Sequence, residues 1–241
     1  MRFKKPKFWD YKRISFLAIL LLPLSGGYLI LVWISRLFSI LRVNKKPPIP
    51  TICVGNIYVG GTGKTPLVKE IYNITKSIGK NPAFVKKRYN YLLDEIKMLK
   101  DIGKTFDCEK RLSGIAQSIN ANHDVAILDD GFQDFSIKPD LSILCFNSKQ
   151  LIGNGLVIPS GPLRERFGSI LRADCIIING SRNIEFENMI LQNIKKKINI
   201  FYSNYKIKNL EKFKNKEITA FAGIGNPSNF FDLLKENKIN L

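Results

Sequence analysis

The sequence predicts an α/β fold, a mostly parallel sheet with helices on both faces, preceded by an N-terminal membrane-associated helix. Three observations carry that expectation. Short apolar runs alternate with helical patterns through most of the chain, the order that parallel crossovers require. A glycine-rich loop stands between the first such run and the first long helix of the globular part. Ahead of both, residues 14–35 (ISFLAILLLPLSGGYLILVWIS) carry no charged side chain. That is about the length a ~30 Å hydrocarbon layer demands.

Composition bounds the rest. The chain has 241 residues and is 45% hydrophobic, enough for a sizeable core, which excludes global disorder. Only one stretch is long and apolar enough to span, which excludes a multi-span membrane protein. Lys and Arg number 38 against 20 Asp and Glu, a net charge of +18. Such a balance suits an anionic partner: a nucleotide, a phosphorylated lipid, an anionic leaflet or nucleic acid. Cys53, Cys108, Cys145 and Cys175 have no metal-knuckle spacing, and three lie in apolar runs, so buried reduced thiols are expected. His123 is the one histidine, so any zinc site or triad based on histidine would rest on it alone.

At the N-terminus, Arg2, Lys4, Lys5, Lys7, Lys12 and Arg13 precede the apolar stretch, and Arg36, Arg42, Lys45 and Lys46 follow it. Trp9, Tyr11 and Trp33 suit the interfacial zone. Basic flanks on both sides disfavour a clean span, and Pro23, Gly26 and Gly27 interrupt the middle. The favoured reading is a helical element, broken or not, dipping into the inner face of a membrane. A true span and a buried core helix remain the alternatives. Pro47, Pro48 and Pro50 then make a stiff linker.

A buried strand at Thr51–Val54 leads into Tyr58-Val59-Gly60-Gly61-Thr62-Gly63-Lys64-Thr65, and a helix from about Lys64 to Ile78 follows. Glycines let consecutive N–H groups converge on phosphate oxygens, and the helix N-terminus adds partial positive charge. Lys64 would reach the outer phosphates and Thr65 would ligate Mg²⁺. Tyr58 stands where this loop type usually begins with glycine. Val59 stands where dimeric partitioning ATPases carry a second lysine. The reading is a P-loop NTPase-like domain binding a nucleoside triphosphate. A second apolar strand, Val125–Leu128, ends in Asp129 and Asp130. Asp129 is the positional match for the carboxylate that holds a Mg²⁺ shell, and Asp130 would share the metal or orient the acceptor. Further strands are expected at Ala83–Val85, Ser142–Phe146, Cys175–Ile178, Ile200–Tyr202 and Thr219–Ala222. Further helices are expected near Leu92–Lys100, Lys110–Asn120, Pro162–Leu171, Phe186–Lys196 and Ser228–Lys235.

Taken in order, G-N-I-Y-V-G-G-T-G-K-T-P, D-E, I-L-D-D-G-F-Q, P-S-G-P-L-R-E and A-F-A-G-I-G-N-P-S-N-F-F resemble the tetraacyldisaccharide 4′-kinase family of lipid A biosynthesis. The resemblance runs from the apolar N-terminus to Phe231. It implies that ATP donates its γ-phosphate to the 4′-hydroxyl of a tetraacylated, 1-phosphorylated glucosamine disaccharide, at the cytoplasmic face of the cell inner membrane. It implies ATP and Mg²⁺ as cofactors, a lipid substrate and a membrane surface as partners, and no nucleic acid. Residue by residue, Gly60 to Thr65 match the phosphate loop. Asp129 and Asp130 match the acidic pair near metal and acceptor. Asp94, with Glu95 beside it, matches the aspartate implicated as base for the sugar hydroxyl. Arg164 and Glu165 match the pair near phosphate and Mg²⁺. Arg88 and Tyr89 resemble an R-G-Y loop lacking its glycine.

Structural roles compete with these. Asp94 and Glu95 would suit a helix N-terminus by charge alone, and Pro162 and Glu165 would suit a first helical turn. The family also carries a second lobe with a D-H-H motif whose histidine assists the base, and His123 cannot be that residue. The expected organisation is therefore an anchoring segment over 1–46 and a P-loop kinase domain over 47–241, with the start of a shortened second lobe from about 199. Two other functions compete: a nucleotide-binding remnant without transfer activity, and a membrane-associated P-loop ATPase or GTPase. The second lacks a guanine-specific N-K-x-D element and any nucleic-acid module.

Overall fold

In the computed structural model, the described residues are 5–11, 13–42, 46–89, 93–194, 197–207, 209–213, 216–223 and 227–239. Arg2, Lys4, Lys12, Lys45, Leu92, Lys196 and the Ile224-Gly225-Asn226 part of the C-terminal motif lie outside them. The globular part is one seven-stranded parallel sheet. Its strands are β1 (Thr51–Gly55), β2 (Pro82–Lys87), β3 (Thr105–Cys108), β4 (Val125–Asp129), β5 (Leu141–Asn147), β6 (Cys175–Asn179) and β7 (Asn199–Ser203). They lie in the order β3-β2-β4-β1-β5-β6-β7. From β1 the chain builds leftward through β2, β3 and β4, then rightward through β5, β6 and β7. The crevice beyond the carboxyl end of β1 is therefore the switch point, where such sheets bind ligands.

The period-2 pattern of the strands sorts the core. Val54, Phe84, Val125, Ile127 and Ile143 face α3 (Lys64–Ser77) and α4 (Leu93–Lys100). Cys53, Val85, Ala126 and Leu128 face α5 (Arg111–Asn120), and Leu144, Phe146, Ile176 and Ile178 continue that face beneath α6 (Ile184–Asn193). Adjacent residues of one strand thus feed opposite layers, and both faces are covered. A last helix, α7 (Pro227–Glu236), contacts the sheet side through the Lys149–Asp232 ion pair.

Three features differ from expectation. The sequence gives no sign of β3: it is a four-residue edge strand whose Asp107 breaks the apolar pattern and pairs with Arg88 and Lys100. Thr219–Ala222 is not a strand, and Phe221 is 89% exposed. Pro162–Leu171 is not a helix; only Phe167–Arg172 coils, as a 3-10 turn. Other backbone bonds claim the rest, with Leu163 N donating to Leu156 O and Arg164 N to Ile57 O at 2.7 Å, so Pro162 and Glu165 sit in an irregular strap of turns and bends. Residues 199–203 form β7, the strand expected at Ile200–Tyr202, and pair with β6.

At the N-terminus, α1 (Phe16–Leu20) and α2 (Leu22–Arg42) meet at Leu21, and that is where the break falls. Pro23 occupies the first turn of α2, where its missing N–H is tolerated, and Gly26 and Gly27 lie inside the helix. Leu22–Ser39 has a mean hydropathy of 1.3 and only 6% of it is buried. Leu31 and Trp33 are each over 60% exposed, which a core helix would not be. Ser25 is the exception. Its Oγ lies 2.8 Å from both Val157 O and Ser160 Oγ, and Tyr28 Oη donates to Arg164 O. The apolar helix is therefore fastened to the strap that runs along the phosphate loop.

Candidate active site

The loop after β1 is held in shape by its own neighbours. Buried Asn56 donates from Nδ2 to Tyr58 O at 2.6 Å and to Thr62 Oγ1 at 2.9 Å. Val59 N donates to Pro162 O, and Tyr58 bridges to Leu163, so the strap is laid antiparallel against the loop entrance. The Val59 N–H is thereby spent on the strap, while Gly60 to Thr65 form the open part of the cradle. Gly63 caps α3 at a φ of +87°, a conformation glycine adopts without strain. A β-carbon there would also meet Asn179 Nδ2 at 2.4 Å. The fully buried Tyr58 ring packs into the core, and its hydroxyl donates to Asp10 and accepts from Lys5.

Lys64 opens α3 and points across to Asp130, with Nζ 3.7 Å from Oδ1. Arg164 grips both oxygens of Asp130 at 3.0 Å. Burial alone would raise the pKa of Asp130, but Lys64 and Arg164 outweigh it and hold the carboxyl below its usual range. Arg111, 6% exposed, donates to the carbonyls of Asp129 and Asp130 and pairs with Asp134, fixing the sharp turn after β4. Glu165 is buried between Arg172, at 2.6 Å, and Gln133 Nε2, at 3.0 Å. Asp129 is 1% exposed and pairs through Oδ2 with Lys86 on β2, its register partner in the sheet. Lys86 also donates to Glu95, at 2.6 Å. Burial works to lower the lysine's pKa; the two carboxylates more than reverse it.

The expected residues therefore fall into two groups. Lys64, Asp130 and Arg164 touch one another beside the cradle, and Glu165 follows Arg164 on the strap. Asp94 is exposed in the first turn of α4, whose buried face carries Ile96 and Leu99, and it is the neighbouring Glu95 that reaches Lys86. Arg88 is turned away, with Nε donating to Asp107 Oδ2 at 2.9 Å on the β3 edge. His123 precedes β4 at the opposite end of the sheet, and its Nδ1 lies 3.3 Å from Asn81 O. The cysteines are free, and burial pushes the thiols of Cys53 and Cys145 up to about 12.

Whether the acids suit a divalent cation turns on their remaining valence. Asp129 Oδ1 is buried with no protein partner. Among the described residues no three His, Cys, Asp or Glu side chains gather into a protein-only cage. That combination suits magnesium, which keeps waters and takes one or two carboxylates together with substrate phosphates.

Sequence reasoning missed three features. Lys86 reads as part of a basic run. Gln133 reads as the tail of a turn. Asn147 and Asn179, with Tyr205, line a recess of about 160 Å³ beside the cradle. The signal for that recess was available: two consecutive apolar strands each end in asparagine, a polar residue at the carboxyl edge of a parallel sheet.

Comparison with known proteins shows the family. The family model described as Tetraacyldisaccharide-1-P 4′-kinase matches residues 17–106 and 94–241. The tetraacyldisaccharide 4′-kinase of Pelagibacter ubique is 41% identical over 244 residues, covering 100% of this chain and 76% of the relative. That of Rickettsia canadensis is 34% identical, covering 98% and 75%. Among solved structures, the "apo" form of LpxK from Aquifex aeolicus in complex with ATP superposes with a TM-score of 0.73. It is 24% identical, covering 93% of this chain and 80% of that one, a likeness of fold.

Proposed function

Because the chain belongs to the tetraacyldisaccharide-1-P 4′-kinase family, we propose that it transfers the γ-phosphoryl group of ATP to the 4′-hydroxyl of a tetraacyldisaccharide 1-phosphate lipid at the cytoplasmic face of the inner membrane. One observation carries the reading. A single strap, residues 156–165, bonds on one side to the phosphate loop and on the other to the exposed apolar helix α2. In this reading that arrangement would bring a phosphate donor and a lipid head group to the same edge of the sheet.

In this reading Gly60 to Thr65 cradle the phosphates with their N–H groups, and the recess beside Gly63 takes the nucleoside end. Lys64 and Arg164 face the transferring group, where charge spreads as the bond to the β-phosphate oxygen breaks and the bond to the 4′-oxygen forms. Asp130 holds those two cations in place. Asp94 accepts the proton that the sugar hydroxyl releases. Thr65, Asp129 and Glu165 would hold Mg²⁺, which supplies charge neutralisation on the phosphate oxygens. Residues 1–46 dock the domain on the membrane through the apolar face of α2 and the surrounding basic residues.

The test is transfer of ³²P from γ-labelled ATP to the disaccharide lipid, using membranes that carry this chain. Labelled lipid is the expected result. Nucleotide binding without transfer would replace the reading with that of a remnant, and lipid-independent hydrolysis with that of an ATPase.

A further inference from the structure

Lys86 takes part in none of the steps above, and it is the only buried lysine among the described residues. Its side chain is 4% exposed. An ammonium group has three protons to donate and accepts nothing, so burial is tolerable only where acceptors surround it. Two do. The parallel register sets Lys86 beside Asp129, and Lys86 Nζ bonds to Asp129 Oδ2. From the other side Glu95 Oε2 reaches it at 2.6 Å.

Each bond fixes something that transfer needs. Holding Oδ2 leaves Oδ1 as the free oxygen of Asp129, and that atom is buried with no protein partner. Holding Glu95 ties the first turn of α4 to the sheet, and the residue before Glu95 is Asp94. The helix has eight residues, and Asp94 itself is exposed. The Lys86–Glu95 pair ties the first turn of α4 to the sheet, and the Lys100–Asp107 pair ties its last turn to β3.

We propose that Lys86 is a positioning residue for phosphoryl transfer: it clamps α4 to the end of β4, which sets Asp94 over the acceptor and presents Asp129 Oδ1 to the magnesium shell. The proposal rests on the kinase reading for its chemistry, but the clamp itself is a statement about two ion pairs. Neither pair is visible as a sequence motif. They arise because parallel pairing brings residues 86 and 129 side by side and α4 returns over them.

The test uses the full chain in detergent micelles and compares wild type with Lys86→Met, Lys86→Arg and Glu95→Gln. Glu95 is 42% exposed on its side chain, so Glu95→Gln removes the charge from one arm of the clamp, leaving a weaker neutral acceptor, without burying a lone charge. Hydrogen exchange followed by mass spectrometry should show faster exchange over residues 93–100 in Lys86→Met and Glu95→Gln, with α3 and α5 unchanged. Steady-state kinetics should show kcat lowered by up to about 10²-fold, the scale of a misplaced catalytic group, with KM for ATP little changed. Lys86→Arg, which keeps the charge, should recover most of the loss. Mg²⁺ titration of fluorescent-nucleotide binding should show weaker metal dependence in Lys86→Met than in Glu95→Gln, since only the former frees Asp129. If Lys86→Met does not fold, Glu95→Gln decides: wild-type kcat, or unchanged exchange over α4, overturns the proposal. Absence of transfer by wild type would overturn the kinase reading instead, and the exchange of α4 would still report the clamp.

Discussion

The two sides of the crevice are built differently. On the donor side, the phosphate loop is fixed many times over. Asn56 pins two points of it, the strap pairs with its entrance, Cys145 Sγ approaches Thr62 O, and Gly63 opens α3. On the proposed acceptor side, a short helix carries an exposed Asp94, buries Ile96 and Leu99, and is tied to the sheet through the Lys86–Glu95 pair. The difference teaches where each half of the chemistry can fail. A donor site fixed by many short-range bonds loses function when a charge is removed, and hardly when one bond is. An acceptor site carried on one short helix is sensitive to the position of that helix.

The largest expected effect tests the donor side. Lys64→Ala should lower kcat by about 10³–10⁵-fold, the range for a cation that stabilises a transferring phosphoryl group. The lipid-phosphorylation assay measures it, and turnover near wild type would break the assignment of the loop. Asp94→Asn should lower kcat by about 10²–10⁴-fold, the usual contribution of a general base. Nucleotide affinity should not change in Asp94→Asn, whereas it should weaken in Lys64→Ala. Equal losses of nucleotide affinity in both would erase the distinction between the two sides.

The same contrast explains what could be read beforehand. The phosphate loop, the strand before it and the Asp129-Asp130 turn are local patterns, so sequence reveals them. Short continuous apolar runs likewise marked six of the seven strands close to their observed bounds. The strap defeated the helical expectation because Pro162 and Glu165 look like a first turn, while Val59, Tyr58 and Ile57, which bond to Pro162, Leu163 and Arg164, lie far earlier in the chain. Lys86 defeated it for a related reason. In the sequence it is one of three consecutive basic residues, and only the sheet register shows that Lys86 points at Asp129 while Arg88 points at Asp107. Local order is legible; which distant carboxylate a cation meets is not.

Asp130 sits where the two sides meet, and its ionisation supplies a pH test. Its folded pKa lies below the ordinary carboxylate value, because Lys64 and Arg164 overcome the effect of burial. The stability it contributes is therefore fully present above the unfolded pKa, and it is lost as pH falls through the folded value. Asp130→Asn should remove about 1.5–3 kcal/mol at neutral pH, the worth of hydrogen bonds to a charged group. It should also flatten the loss of stability on acidification below about pH 4. Urea unfolding across pH 3–7 measures both, and parallel curves for variant and wild type would remove Asp130 from the cation cluster. Ser25→Ala should cost less, about 1–2 kcal/mol, by leaving buried partners at Val157 and Ser160 unpaired. Because it loosens α2 from the strap, KM for the lipid should rise while KM for ATP holds.

The smallest expected effect is the sharpest check on the boundary of the acceptor site. Arg88 resembles part of a family loop, which would make it a ligand. The geometry gives it another task. Its guanidinium is 53% exposed and bonds to Asp107 through Nε and Nη2, tying β3 to the end of β2. Lys100 also reaches Asp107, at 3.4 Å, so the carboxylate keeps a partner if Arg88 is lost. An exposed pair of this kind contributes at most about 1 kcal/mol, and salt screens it. Arg88→Ala should therefore lower stability slightly, an effect that fades at high ionic strength, and kcat should stay within about twofold, a barrier change near 0.4 kcal/mol. A loss of kcat on the scale of Asp94→Asn, in a variant whose stability is unchanged, would show that the loop turns inward during turnover and would extend the acceptor site to the β3 edge.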